Sequence, residues 1–82
     1  MSKYRPLREQ LASEAGRDVT MSLTDLDTLV GGLPRSARRY RAWWSNEREG
    51  SHVQARAWLD AGWRVEHVNL TAEQVRFIRS QP

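Results

Sequence analysis

The sequence predicts a small α+β domain, and three observations lead to this fold class. Apolar residues with helical spacing dominate the chain before residue 62, whereas alternating apolar and polar residues follow it. Two predicted helices meet at Gly31-Gly32, as the helices of a helix-turn-helix meet at a turn. A lone short strand precedes these helices and a predicted hairpin follows them. This combination is typical of a winged helix-turn-helix with one extra helix.

The first elements follow from local patterns. Apolar residues recur every four positions and predict a first helix over residues 4–15. Residues 19–23 alternate between apolar and polar side chains, which indicates a half-buried strand. Thr24 is the expected N-cap of a second helix, because its hydroxyl suits that position. Gly31-Gly32 is the expected end of this helix, since glycine accommodates the left-handed conformation there.

The most informative stretch runs over residues 33–46. It holds four arginines within seven residues, no acid, and then two tryptophans. Wound as one helix, it has two faces. The predicted core-facing stripe consists of Leu33, Ala37, Tyr40 and Trp44. The opposite side carries Arg35, Arg38, Arg39 and Asn46.

A fourth helix is predicted from Ser51 to about Ala61, after a polar loop over residues 47–50. Ser51 and Gln54 have the spacing of a capping box, in which the two side chains satisfy the first backbone N–H groups. The four tryptophans, which fall within 21 residues, are expected to form the centre of the core.

Residues 63–70 and 75–79 indicate the two strands of a C-terminal hairpin. The first strand alternates imperfectly, which allows a bulge. Alternatively, Thr71 and Gln74 cap a short helix. The hairpin is expected to pair with the lone N-terminal strand, in the element order α-β-α-α-α-β-β. One domain is predicted over residues 1–82, with a tail limited to about 80–82.

Composition argues against several function classes. The chain has no cysteine, its two histidines are isolated, and it carries no glycine-rich phosphate loop. We therefore expect no enzyme activity, no cofactor and no metal. No apolar run approaches the roughly 20 residues that span a bilayer, and no signal peptide is evident. A cytoplasmic domain without a membrane partner is the expectation.

The basic character belongs to the second half of the chain. Residues 33–82 carry nine arginines and five acids, whereas residues 1–32 carry four basic residues and five acids. Arginine forks bind phosphate and guanine in a bidentate manner, which lysine cannot do. The sequence therefore predicts an arginine-rich surface for an anionic partner.

Four motifs extend over nearly the whole chain. They are Tyr4-Arg5-Pro6-Leu7, Gly31-Gly32-Leu33-Pro34-Arg35-Ser36-Ala37, Trp43-Trp44-Ser45-Asn46 and Ala57-Trp58-Leu59-Asp60-Ala61-Gly62-Trp63. In these motifs the chain resembles a family of small, largely uncharacterised bacterial and phage domains. The resemblance implies a free-standing domain that also occurs attached to larger proteins. It implies no established activity, so the functional hypothesis rests on the residues.

The leading hypothesis is a small domain that binds duplex DNA through the arginine-rich helix and the C-terminal wing. The candidate contact residues are Arg35, Ser36, Arg38, Arg39, Asn46, His52, Gln54, Arg56, Arg76 and Arg79. In one arrangement the fourth helix reads the major groove, with Gln54 contacting adenine and Arg56 contacting guanine. The basic helix and the wing arginines then hold phosphates. The reverse division of roles stays open.

Other interpretations compete with this hypothesis. The domain is alternatively a protein-interaction module of phage or mobile-element origin, which masks an acidic surface of a host protein. Asn46 and Gln54 have structural alternatives, as a loop cap and as part of the capping box. Trp43 either stacks on a base or joins the core.

Overall fold

Four helices and a three-stranded antiparallel sheet form the part of the chain that the computed structural model describes, residues 2–49 and 53–80. This is the predicted α+β class. The helices are α1 (Arg5–Ser13), α2 (Leu23–Val30), α3 (Arg35–Arg39) and α4 (Ala55–Asp60). A 3₁₀ turn over Arg41–Trp44 lies between α3 and α4. The strands are β1 (Asp18–Ser22), β2 (Trp63–Asn69) and β3 (Gln74–Arg79).

The sheet has the strand order β1-β3-β2, so that the C-terminal hairpin pairs with the N-terminal strand through β3. The register of β2 shifts between Val65 and His67, and the allowed bulge is therefore present. At the hairpin turn, the Asn69 side-chain oxygen accepts a hydrogen bond from the Ala72 backbone N–H at 2.9 Å. This turn replaces the alternative short helix after Thr71.

One face of the sheet carries the core. Alternate residues of β2 and β3 are buried, and the residues between them are exposed or half-buried. On the buried face, five aromatic rings form a continuous series in which each ring contacts the next. The rings are those of Tyr4, Trp43, Trp44, Trp58 and Phe77, and the distances between successive ring centroids are 5.9, 4.5, 5.8 and 5.9 Å. All four tryptophans belong to the core or pack against it, as the sequence predicted.

The second helix begins two residues earlier than predicted. Ser22 is its N-cap, because the Ser22 hydroxyl accepts a hydrogen bond from the Asp25 backbone N–H at 3.0 Å. The prediction of Thr24 as N-cap is therefore wrong. The helix ends at Gly31, which has a φ of 75°, and the Gly32 N–H donates to the Asp27 carbonyl at 2.7 Å.

The prediction of one basic helix over residues 33–46 is wrong. Tyr40 is extended (φ −125°, ψ 122°) and separates α3 from the 3₁₀ turn. A continuous helix would bond the Ala37 carbonyl to the backbone N–H of residue 41. Instead, the Trp44 indole N–H donates to that carbonyl at 2.8 Å. Ala37 and Trp44 are buried as predicted, but Tyr40 points outward and is 60% exposed.

The fourth helix is shorter than predicted and begins at Ala55. Ser51, the predicted partner in its capping box, lies outside the described residues, as do residues 81 and 82 of the expected tail. Ser80 is held to the fold, since its backbone N–H donates to the Gly62 carbonyl at 2.9 Å.

Candidate nucleic-acid interface

Three exposed arginines lie on α3 and at the first residue of the 3₁₀ turn that follows it. Arg35 and Arg39 are one helical turn apart and share a face of α3, and Arg41 follows Tyr40. None of the three forms an ion pair with a carboxylate of the described residues. We call Arg35, Arg39, Tyr40 and Arg41 the α3 basic surface. Its guanidinium groups are available to an anionic partner.

Arg41 also lies at the edge of the sheet. It lines a shallow groove of about 310 Å³ together with Glu66 and His67 of β2. Arg41 was not among the predicted contact residues, and Tyr40 was predicted in the core, because one continuous helix was expected over residues 33–46. The run of arginines without an acid was the signal that includes Arg41.

Arg38, a predicted contact residue, lies between two carboxylates. Its guanidinium is 3.6 Å from Asp27 of α2 and 3.4 Å from Glu73 in the hairpin turn. The Asp27 carboxylate also accepts a hydrogen bond from the Leu33 backbone N–H at 2.6 Å. Arg38 therefore connects α2, α3 and the hairpin turn, and its charge is offset within the fold.

The two arginines predicted to act in a wing have internal partners. Arg76 lies on the exposed face of the sheet, bonded to Asp18 of β1 at 2.8 Å and to Glu66 of β2 at 2.7 Å. The hydrogen bond that Arg76 donates to Asp18, and next the negative charge of Glu66, raise the pKa of Arg76. The hairpin turn itself carries Glu73 rather than a base. The predicted phosphate contact from a basic wing is therefore corrected.

Arg79 has a structural role. Its guanidinium donates to the carbonyls of Glu14 and Gly16, at 2.5 and 2.8 Å, and lies 4.7 Å from the Trp63 ring centroid. These carbonyls follow the end of α1, which stops at Ser13 rather than at residue 15. Arg79 thus fixes the connection from α1 to β1 and is not directed at a partner.

The two amides predicted to contact bases are part of the fold. Gln54 is 6% exposed, and its side-chain N–H donates to the Trp43 carbonyl at 2.9 Å. The Asn46 side chain donates to the Val65 carbonyl at 2.9 Å and accepts from the Val65 N–H at 2.8 Å. It thus bonds to both backbone groups of Val65, as the backbone of a neighbouring β-strand would. Its oxygen also accepts from the Trp58 indole at 2.9 Å. Both amides therefore have structural roles, but not the predicted ones. Asn46 bonds to β2 and to Trp58 rather than capping its loop, and Gln54 bonds to the Trp43 carbonyl while α4 has no side-chain cap.

The other candidates are dispersed. Ser36 lies half-buried on α3, and its carbonyl accepts the last hydrogen bond of the helix, from Tyr40 at 2.9 Å. Arg56 is exposed on α4, where it lines a groove with α1. His52 lies outside the described residues. The structure therefore joins Arg35, Ser36 and Arg39 on one helix and places Arg56 on another.

Residues 2–49 and 53–80 contain neither a cluster of metal ligands nor a membrane-spanning helix. Within these ranges, no group of three histidine, aspartate or glutamate side chains is arranged to hold a metal ion. No helix there has the length and apolar character needed to cross a membrane.

Comparison with known proteins gives one match. Residues 4–80 match a family described as a domain of unknown function (DUF7662). No curated protein and no solved structure shows significant similarity to the chain. The match extends over nearly the whole domain, including every helix and strand described above.

Proposed function

The chain belongs to the DUF7662 family of domains of unknown function, and we propose that it binds the phosphate backbone of duplex DNA through the α3 basic surface. The observation that carries the proposal is the contrast in pairing along the chain. Arg35, Arg39 and Arg41 have no carboxylate partner among the described residues, although acids elsewhere in the fold neutralise other arginines. Unpaired guanidinium groups release counterions from DNA, which is the main source of affinity for its backbone.

The arrangement of elements supports a winged helix-turn-helix interpretation. Helix α3 follows α2 after the Gly31-Gly32 turn, in the place where such domains carry the recognition helix. The β2–β3 hairpin follows the helices, and β1 completes the sheet on the far side of β3. In this proposal the hairpin fixes α3 through Arg38 and Glu73 instead of contacting DNA itself.

The proposed contact is with phosphates rather than with base edges. Helix α3 has five residues, which corresponds to a length of about 7.5 Å and gives little reach into a groove. The amides of Asn46 and Gln54 are bonded within the fold. Binding with little dependence on sequence follows, since phosphate contacts alone carry no sequence information.

A titration against labelled duplex DNA, followed by fluorescence anisotropy, tests this proposal. We expect Arg39→Gln to weaken binding about eightfold at 0.1 M salt, which corresponds to one lost phosphate contact. Arg38→Gln is the matched control on the same helix, and we expect affinity to change little because Arg38 is already paired. Equal losses in both variants, or no binding by the parent protein, would reject the proposal.

A specific observation favours a second candidate, an acidic protein surface as the partner. Tyr40 is 60% exposed between Arg39 and Arg41, and tyrosine and arginine are enriched among the residues that dominate protein interfaces. In this candidate function the domain masks the acidic surface of another protein. Tyr40→Ala distinguishes the two candidates. It should strongly reduce capture of a protein partner and should leave binding to the phosphate backbone of DNA nearly unchanged.

A further inference from the structure

A second basic feature lies between α1 and α4 and involves none of the residues of the α3 basic surface. It is a groove of about 420 Å³, a volume typical of sites for small organic ligands. Its lining includes Tyr4, Arg5, Arg8, Val53, Arg56 and Ala57. Two helices thus bring three guanidinium groups to one concave surface.

The charge of the groove is positive. The Arg8 side chain has no hydrogen bond or ion pair with the described residues. The Arg56 Nε donates to the Arg48 carbonyl at 3.3 Å, which leaves the two terminal nitrogens of Arg56 to bond elsewhere. One carboxylate, that of Asp60, also lines the groove, but it forms an ion pair with Arg48. The groove therefore matches an anion that accepts several hydrogen bonds.

The groove also offers apolar surface beside the arginines. Val53 is 58% exposed, and Ala57 is a small buried residue that leaves space above α4. The half-buried Tyr4 ring is held edge-on against Trp43 at 5.9 Å between centroids. Burial raises the pKa of Tyr4, and its neutral hydroxyl can donate a hydrogen bond.

From this combination we infer that the α1–α4 groove binds a small phosphate monoester carried on a flat ring, of the size of a nucleoside monophosphate. Arg8 and Arg56 bind the phosphate oxygens through paired N–H groups, as guanidinium forks do. The ring covers Val53 and the exposed part of the Tyr4 side chain. The inference does not depend on the proposed DNA binding, since the two sets of residues are separate.

Titration of the ¹⁵N-labelled full chain with adenosine 5′-monophosphate, followed by NMR chemical shifts, tests the inference. Adenosine and inorganic phosphate are the matched ligands, because each lacks one half of the proposed recognition. We expect saturable shifts around α1 and α4 with the monophosphate, and affinity at least about tenfold higher than for either control. Arg8→Gln and Arg56→Gln should each weaken monophosphate binding about tenfold.

Arg64→Gln is the control variant, because Arg64 is exposed on β2 and lines neither this groove nor the α3 basic surface. We expect it to bind the monophosphate like the parent protein. Three results would overturn the inference: no saturable binding up to about 10 mM, equal affinity for adenosine, or an equal loss in Arg64→Gln. Arg8→Gln is expected to bind duplex DNA like the parent protein. The monophosphate titration therefore tests only the groove, and the duplex DNA titration tests only the α3 basic surface.

Discussion

The arginines of the α3 basic surface and the two arginines of β3 differ in what surrounds them. Arg35, Arg39 and Arg41 are exposed and have no carboxylate partner among the described residues. Arg76 connects Asp18 and Glu66 across the sheet, and Arg79 holds two carbonyls after α1. A count of arginines in the sequence therefore overstates the positive surface. The partners within the fold decide which guanidinium groups can meet a ligand.

This comparison predicts two classes of variant. Changes to the arginines of the α3 basic surface should lower affinity for an anionic partner and preserve stability, since these side chains lie outside the hydrophobic core. Changes to residues with internal partners should lower the free energy of unfolding and preserve the affinity of the folded protein. The comparison would be contradicted by a surface variant that loses stability, or by a variant of an internally bonded residue that folds but loses affinity.

The largest effect is expected from the triple variant Arg35→Gln, Arg39→Gln and Arg41→Gln. Loss of three phosphate contacts should weaken duplex binding on the order of 500-fold at 0.1 M salt. Its thermal unfolding should stay close to that of the parent protein, because exposed unpaired side chains contribute little to stability. Anisotropy titration and circular dichroism measure the two quantities. Unchanged DNA affinity in a folded triple variant would contradict the proposed interface.

Asn46→Ala should have the next largest effect, on stability. The substitution removes the partners of the buried Trp58 indole and of both backbone groups of Val65. We expect the free energy of unfolding to fall by about 3 kcal/mol, since unsatisfied buried groups are costly. Urea denaturation measures the change. Asn69→Ala is the control: it removes one exposed hydrogen bond to the hairpin turn and should cost about 1 kcal/mol or less.

Arg79→Gln should lower the free energy of unfolding by about 1.5 kcal/mol. It removes two charge-assisted hydrogen bonds to carbonyls and the contact with Trp63. Duplex affinity of the folded variant should stay within about twofold of the parent protein, because no phosphate contact is lost. A large affinity loss without a stability loss would place Arg79 among the ligand-facing arginines instead.

The smallest effect is expected from Arg38→Gln. Its ion pairs with Asp27 and Glu73 are exposed, and exposed pairs contribute about 0.2–1 kcal/mol. Added salt should therefore lower the free energy of unfolding, measured by urea denaturation, more for the parent protein than for the variant. The two salt effects should differ by less than about 1 kcal/mol. A loss of several kcal/mol would show that Arg38 holds the hairpin turn more strongly than the comparison assumes.

Local patterns sufficed for the parts of the fold that depend on neighbours in sequence. The alternation in β1 and β3, and the left-handed Gly31 at the end of α2, act within a few residues. The break at Tyr40 depends on the Trp44 indole replacing a backbone donor, which no spacing reveals. For the same reason, sequence spacing does not reveal that Asn46 bonds to Val65 or that Gln54 bonds to the Trp43 carbonyl.

The sequence predicted that the candidate site is rich in arginine, but it did not predict which arginines belong to the site. The run from Arg35 to Arg41 was evident from the sequence, and three of its four arginines have no carboxylate partner within residues 2–49 and 53–80. The loss of Arg76 and Arg79 from the site could not be predicted, because their partners lie on other strands and beyond α1. Long-range pairing is therefore what separates the two groups of arginines.

The salt dependence of duplex binding, compared between Arg39→Gln and Arg76→Gln, tests this separation most directly. For the parent protein we predict a slope of about −2.7 for the logarithm of the association constant against the logarithm of salt concentration, as expected for three contacts. Arg39→Gln should reduce its magnitude to about 1.8, whereas Arg76→Gln should leave it unchanged. Salt-independent binding, or an equal reduction in both variants, would contradict the claim that pairing within the fold selects the ligand-facing arginines.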